Sequence, residues 1–226
     1  EALLERCRRA AHLNAFIGRD GEAVLESARA ADQARTAGRP LGPLHGVPLV
    51  LKDNIDTAQM ATTAGTPALK SHRPRQNAPV AERLFAAGAL LLGKANMHEL
   101  AFGITSNNAA FGPVRNPYDP TRIAGGSSGG TGAAIAARLA PAGLGTDTGG
   151  SVRIPAALTG IAGLRPTAGR WPQAGIVPIS HTRDTPGPMA RSLADCALLD
   201  RIVTGEADDP APRSLKGLRL GVPRGY

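Results

Sequence analysis

Apolar side chains recur with helical spacing at the start of the chain, in residues 2–17 and again in 22–37, both rich in Ala and Arg. The second stretch ends at Gly38, ahead of Pro40. After a loop, Arg39–Gly46, the run Val47–Leu51 is apolar without alternation, the pattern of a strand covered on both faces. Its Pro48 belongs near the strand start, where a ladder donor is not required. Asn77 with Ala78-Pro79 opens a helix through Ala87, and Ala89–Leu92 predicts a second buried strand. Gly130–Leu139 predicts a helix and Leu144–Thr146 a third strand. Ser192 caps a helix reaching about Val203, and Leu218–Val222 predicts a final strand. Strands alternating with helices imply an α/β fold, with a mixed, mostly parallel β-sheet covered by helices on both faces and preceded by N-terminal helices. No linker interrupts residues 1–226, so a single domain is expected.

Composition changes this picture only by exclusion. With 28 Gly and 19 Pro the chain is loop-rich, yet 42% of residues are hydrophobic and the glycines follow no three-residue period. Collagen and disorder are thereby excluded. The net charge of +8 raises the question of nucleic acid. The arginines are scattered, however, and four Phe, two Tyr and one Trp leave little to stack bases on. Cys7 and Cys196 lie far apart and form no CxxC, as suits a reduced, cytoplasmic chain. No apolar run approaches the ~18 residues of a membrane span. The sequence begins at Glu1 without an initiator Met, and it is expected to be the N-terminal and central portion of a longer domain, truncated at the C-terminus.

Three motifs fail on context. Gly88–Lys94 fits GxxxxGK, but Ala95 replaces the magnesium-holding hydroxyl and the intervening residues read as strand. Gly143-Leu144-Gly145 lacks the third glycine of a dinucleotide loop, and Phe102 stands where His98-Glu99 would need a second His. A fourth, Gly125–Gly129, fits GxSxG ahead of a helix, which would make Ser127 a nucleophile with His181 as its base and Asp147 as the acid. A second serine competes with it. Ser151 follows the pair Gly149-Gly150, whose backbone freedom can turn N–H groups toward one point, or simply build a tight turn with a helix cap.

Lys52 weighs on that choice. It directly follows an apolar strand, in a chain whose only other lysines are Lys70, Lys94 and Lys216. A lysine there is costly unless paired or neutral. Asp53 or Asp56 can pair with it; otherwise burial lowers its pKa from ~10.4 toward ~7–8, where it accepts a proton.

Lys52 within Gly46–Asn54, the block Gly125–Gly130 and the block Gly145–Pro155 together resemble the amidase signature family, in order and in the spacing of the two serines. The resemblance runs on through Gly163–Thr167 and Gly221-Val222-Pro223. It implies Ser151 as nucleophile, Ser127 as a bridging serine held by an unusual cis peptide, and Lys52 as base. It also implies an oxyanion hole from the N–H groups of Thr148, Gly149, Gly150 and Ser151, braced by Asp147 with Arg153. One departure is Arg165, where many members carry Lys. Asn96–Asn107 and His181–Pro188 look like the arylacetamide branch, which includes indoleacetamide and mandelamide hydrolases. There Met97, Phe102 and Ile104 are expected to line an apolar substrate pocket. The implied activity is cleavage of a small aryl or arylalkyl primary amide to acid and ammonia through an acyl-enzyme, with no cofactor and no metal. The implied partner is a small-molecule amide, with neither nucleic acid nor membrane; a homodimer stays open. The alternatives are an α/β-hydrolase-type esterase, a glutaminase-type subunit of a tRNA amidotransferase, and an inactive fragment.

Overall fold

The apolar runs become the middle of a six-stranded sheet in the computed structural model, which describes residues 1–206, 214, 216–219 and 221. Strands β1 (Phe16–Gly18), β2 (Pro48–Lys52), β3 (Leu90–Ala95), β4 (Ala142–Asp147), β5 (Ala162–Gly163) and β6 (Thr185–Ala190) lie in the order β1-β3-β2-β4-β6-β5. The sheet is mixed, as the alternation of elements implies. Its centre, β3-β2-β4, is parallel; β1 and β6 join it antiparallel, and β5 pairs antiparallel with β6, so it runs in the direction of the centre. Helix α3 (Pro79–Ala86) carries the chain from β2 to β3, and α4 (Gly129–Ala136) stands between β3 and β4.

Alternation along the buried strands divides the core in two. Val50, Leu92, Ala95 and Met189 face α1 (Ala2–Arg9), α4 and α5 (Arg153–Thr159). Leu49, Leu51, Leu144 and Ala190 face α3 and α6 (Leu193–Thr204). Helix α2 (Gly21–Thr36) adds only Val24 and Leu25 to the first cluster, and none of its residues is fully buried. Ser192 caps α6 as expected, accepting the Asp195 N–H at 3.1 Å.

The structure corrects several boundaries. The first helix stops at Arg9, not at residue 17. A 3₁₀ turn follows, Asn14 takes a left-handed φ of 51°, and the chain enters β1 against the end of β3. Tertiary bonds override the local pattern there: Asn14 donates to Phe111 O at 2.8 Å and its own carbonyl accepts from Asn96 at 3.1 Å. Strand β3 runs on through Lys94, which confirms that the GxxxxGK match is strand rather than phosphate loop. Strand β6 is not expected from its sequence, because Pro186 and Pro188 lack ladder donors. They are accommodated because the Pro188 carbonyl accepts Leu164 N–H on the β5 side, so the proline nitrogens point away from β4. Of the expected final strand, Leu218, Arg219 and Gly221 take no strand conformation, and Leu220 and Val222 lie outside the described residues. Among the described residues both cysteines are buried free thiols, and no helix is long and apolar enough to cross a membrane.

The parallel centre brings the C-terminal ends of β2, β3 and β4 together, the usual place for a site in such a sheet. Helix α4 closes on that edge so tightly that Gly130 has no room for a side chain. A Cβ there would lie 2.2 Å from Asn96 O and 2.5 Å from Ala15 O. Gly130→Ala is therefore expected to lower stability by about 2–3 kcal/mol through overpacking, read as a fall in the urea midpoint at constant m-value. An unchanged midpoint would mean that α4 can back away freely.

Candidate active site

Lys52 is the last residue of β2 and has no exposed surface. Its Nζ lies 2.7 Å from Ser127 Oγ and 2.7 Å from Thr146 Oγ1. Neither Asp53 nor Asp56 pairs with it, so the expectation of a simple ion pair is not met. Asp53 instead lies 3.7 Å from Lys94, a second buried lysine that donates to Ile55 O at 2.6 Å and to Thr62 Oγ1 at 2.9 Å. Burial pulls the pKa of Lys52 down to about 7, more than the nearby Asp147 and Asp184 charges restore. At that value a large fraction of the amine is neutral near pH 7. Its lone pair can then accept the Ser127 proton along the same 2.7 Å line.

Ser127 is fully buried and follows a cis Gly126–Ser127 peptide. Its neighbourhood is fixed from two sides. Its own carbonyl accepts His98 N–H at 3.1 Å, and Ser106 Oγ caps the first turn of α4 by accepting Gly129 N–H at 3.0 Å. Ser128 N–H donates to Ser151 O at 3.2 Å, which joins the two serine segments. Ser151 sits just before α5 and is 7% exposed. Among the described residues no hydrogen bond joins the two serine hydroxyls. Lys52–Ser127 is thus the formed link among the three residues.

The loop carrying Ser151 is folded around Asp147, at the end of β4. Its carboxylate has no exposed surface and accepts Gly150 N–H at 2.8 Å, Val152 N–H at 3.0 Å, and both Arg153 Nε and a terminal Arg153 nitrogen. Burial alone would raise its pKa, but the Arg153 guanidinium and the two N–H groups hold it below the ordinary carboxylate value. Arg165 Nε adds a bond at 3.1 Å, so the arginine that departs from the common Lys keeps a partner. One oxyanion donor is corrected by this network: Gly150 N–H is committed to Asp147. Thr148, Gly149 and Ser151 remain as candidate donors, and the space beside Gly149 is open, with nothing within 4 Å of where its Cβ would stand.

Next to this loop lies a cavity of about 300 Å³. Asn54, Thr146 and Thr148 form one side, Ile176, Val177 and Ile179 an apolar wall, and Gln173, His181 and Asp184 its polar border. The expected pocket residues are elsewhere. Met97 is fully buried, whereas Phe102 and Ile104 are 80% and 58% exposed, and none of the three lines the cavity. Within the segment that looks like the arylacetamide branch, their apolar character was what singled them out, and it does not separate core, surface and pocket. His181 lines the cavity, but the hydroxyl of Ser127 is held by Lys52, so the expectation of a Ser127–His181 pair is not met.

Sequence reasoning missed Thr146, which accepts from Lys52 and from Asn54 at 3.1 Å. It also assigned no role to Asn54 and Asp184, which lie inside matched blocks but whose partners, Thr146 and Thr148, are distant in sequence. Among the described residues no cluster of His, Cys, Asp and Glu fit to hold a metal ion is present.

The Amidase family model matches residues 1–224. An indoleacetamide hydrolase of Rhizobium radiobacter is 53% identical over 226 residues, 100% of this chain and 48% of that protein. A mandelamide hydrolase of Pseudomonas putida is 52% identical, covering 98% of this chain and 45% of its own length. The peptide amidase of Stenotrophomonas maltophilia superposes with a TM-score of 0.85 at 41% identity, covering 93% of this chain and 46% of that one. The chain therefore spans about half the length of the curated relatives it matches.

The buried lysines can be followed directly. Of the four lysines, ¹⁵Nζ NMR is expected to find Lys52 titrating at about 7 and Lys94 at about 8, both lowered first by burial. Thr146→Val removes an acceptor that favours the ammonium, so it should move the Lys52 titration lower still. Four lysines all titrating near ~10.4 would refute this electrostatic account.

Proposed function

The chain belongs to the amidase family, and on that premise we propose that it hydrolyses a small, neutral primary amide through Lys52, Ser127 and Ser151. The observation that carries the reading is the 2.7 Å contact between a lysine nitrogen with no exposed surface and Ser127 Oγ. Neutral Lys52 takes the Ser127 proton while Ser127 takes that of Ser151, and Ser151 Oγ attacks the amide carbonyl carbon. The N–H groups of Thr148, Gly149 and Ser151 receive the oxyanion. On collapse the proton held at Lys52 returns through Ser127 to the leaving nitrogen, ammonia departs, and water repeats the sequence on the acyl-enzyme. The first transfer runs along a contact already formed, from Ser127 Oγ to Lys52 Nζ at 2.7 Å.

The acyl group is read from the cavity. The wall of Ile176, Val177 and Ile179 and a volume of about 300 Å³ suit an aryl or arylalkyl group. The similarity to indoleacetamide and mandelamide hydrolases supports the same class. Among the described residues no basic side chain lines the cavity apart from the imidazole of His181, so a carboxylate on the acyl group would find no strong partner there.

Ammonia release measured across acetamide, phenylacetamide, mandelamide and indoleacetamide is expected to favour the three aryl amides in kcat/KM. Equal or better turnover of acetamide would sink the assignment of the acyl group. The rate should rise with pH and level off above about 7, because the neutral amine is the active form.

A fluorophosphonate should label Ser151, found by peptide mass spectrometry in the segment between Arg138 and Arg153. Labelling should vanish in Ser151→Ala, fall at least about a hundredfold in Lys52→Met, and persist in His181→Ala. Lys52→Arg should do no better, since a guanidinium stays charged. A label on Ser127 that depends on His181 would replace the whole mechanism.

A further inference from the structure

Across the β4–β6 ladder, Asp147 faces Thr185, so the next rung sets Thr148 opposite Asp184. The two side chains meet there: the Thr148 hydroxyl donates to Asp184 Oδ1 at 2.5 Å. The other carboxylate oxygen accepts the N–H groups of Ile179 at 2.7 Å and Ser180 at 2.9 Å, and the Asp184 carbonyl accepts Gln173 Nε2. Asp184 thus holds the cavity wall in one hand and the nucleophile loop in the other. A second tie runs parallel to it, from Asp147 through Arg165 to Arg183 O at 2.8 Å.

We propose that Asp184 is a positioning residue that couples occupancy of the acyl cavity to the oxyanion loop, through the Thr148 hydroxyl. This rests on the reading of Ser151 as nucleophile and goes beyond it. An acyl group seated against Ile176 and Ile179 fixes the segment whose N–H groups Asp184 accepts. Asp184 in turn fixes Thr148, whose N–H is a donor to the oxyanion. Binding energy from the remote end of the substrate is then realised at the reacting carbonyl, which is how a larger acyl group raises the chemical rate rather than affinity alone. An acyl group too small to reach the wall leaves the coupling unused. The charge of Asp184 has a second consequence, because it is one of the two carboxylates acting on Lys52, with Asp147 the other and His98 the nearby imidazole.

The test uses two sulfonyl fluorides that sulfonylate serine with loss of fluoride, phenylmethanesulfonyl fluoride to fill the cavity and methanesulfonyl fluoride to leave its wall empty. The maximal rate of Ser151 labelling and the half-saturating concentration are measured separately for each. Thr148→Val is expected to slow the maximal rate with the aryl probe about tenfold and with the methyl probe less than about threefold, with half-saturation nearly unchanged. Thr148→Ser should restore the aryl rate, which a merely structural defect would not allow. Asp184→Asn should match Thr148→Val and also shift the pH limb of labelling to lower pH, since a carboxylate favouring the Lys52 ammonium is gone. The double variant should be no slower than Asp184→Asn alone, because both changes cut one connection. Equal losses with both probes, or effects that multiply in the double variant, would overturn the coupling. Failure of the unaltered chain to label at Ser151 would overturn the catalytic reading itself, and the coupling with it.

Discussion

A lysine nitrogen with no exposed surface has two ways to exist: charged beside a carboxylate, or neutral among hydroxyls. At Lys52 burial lowers the pKa to about 7, so both forms are populated near neutral pH. Its direct partners are Ser127 and Thr146, while the carboxylates of Asp147 and Asp184 act on it only at longer range. Everything near the site follows from keeping that nitrogen dry. Strand β2 is apolar on both faces, so Lys52 emerges from the core rather than from the surface. Helix α4 begins two residues after Ser127, and it packs so close to Asn96 and Ala15 that position 130 has no room for a side chain. Thr146 accepts from Lys52 and is itself held by Asn54.

The two buried lysines make an instructive contrast. Both are held low by desolvation, yet Lys94 is surrounded by carbonyls, a threonine and Asp53, which suit an ammonium. Lys52 has hydroxyls that can give as well as take a proton. Burial lowers both pKa values, and the partners set the two lysines apart. Lys94 stiffens the corner from Asp53 to Thr63, where Thr63 in turn donates to Asp53 from both its N–H, at 3.0 Å, and its hydroxyl.

How much could be read from the sequence depended on whether a feature is local. The central strands and α3, α4 and α6 were legible because uninterrupted apolar runs and caps are properties of short segments. Lys52, Ser127 and Ser151 were legible as candidates through their motifs, and the structure brings Lys52 and Ser127 into contact. Strand β1 was hidden because bonds from Asn14 and Asn96 end a helix that periodicity would extend. The commitment of Gly150 to Asp147 was hidden because glycine freedom shows where a loop can turn, not which acceptor claims each N–H. The cavity wall at 176–179 escaped notice because its residues look like any short apolar loop. Phe102 and Ile104 looked more suitable and lie on the surface instead.

The two prolines of β6 also set the register of the site. Their nitrogens point away from β4, toward the side where β5 is only two residues long. Were β6 to slip by one residue, both prolines would occupy positions where β4 needs a donor, and the ladder would lose two bonds together. The strand therefore has one pairing it can keep. Since Thr185 and Asp184 follow that pairing, the proline pattern works as a molecular vernier. It aligns a cavity built late in the chain with a loop built earlier, and a single inserted or deleted residue between Asp184 and Pro188 would misalign the two.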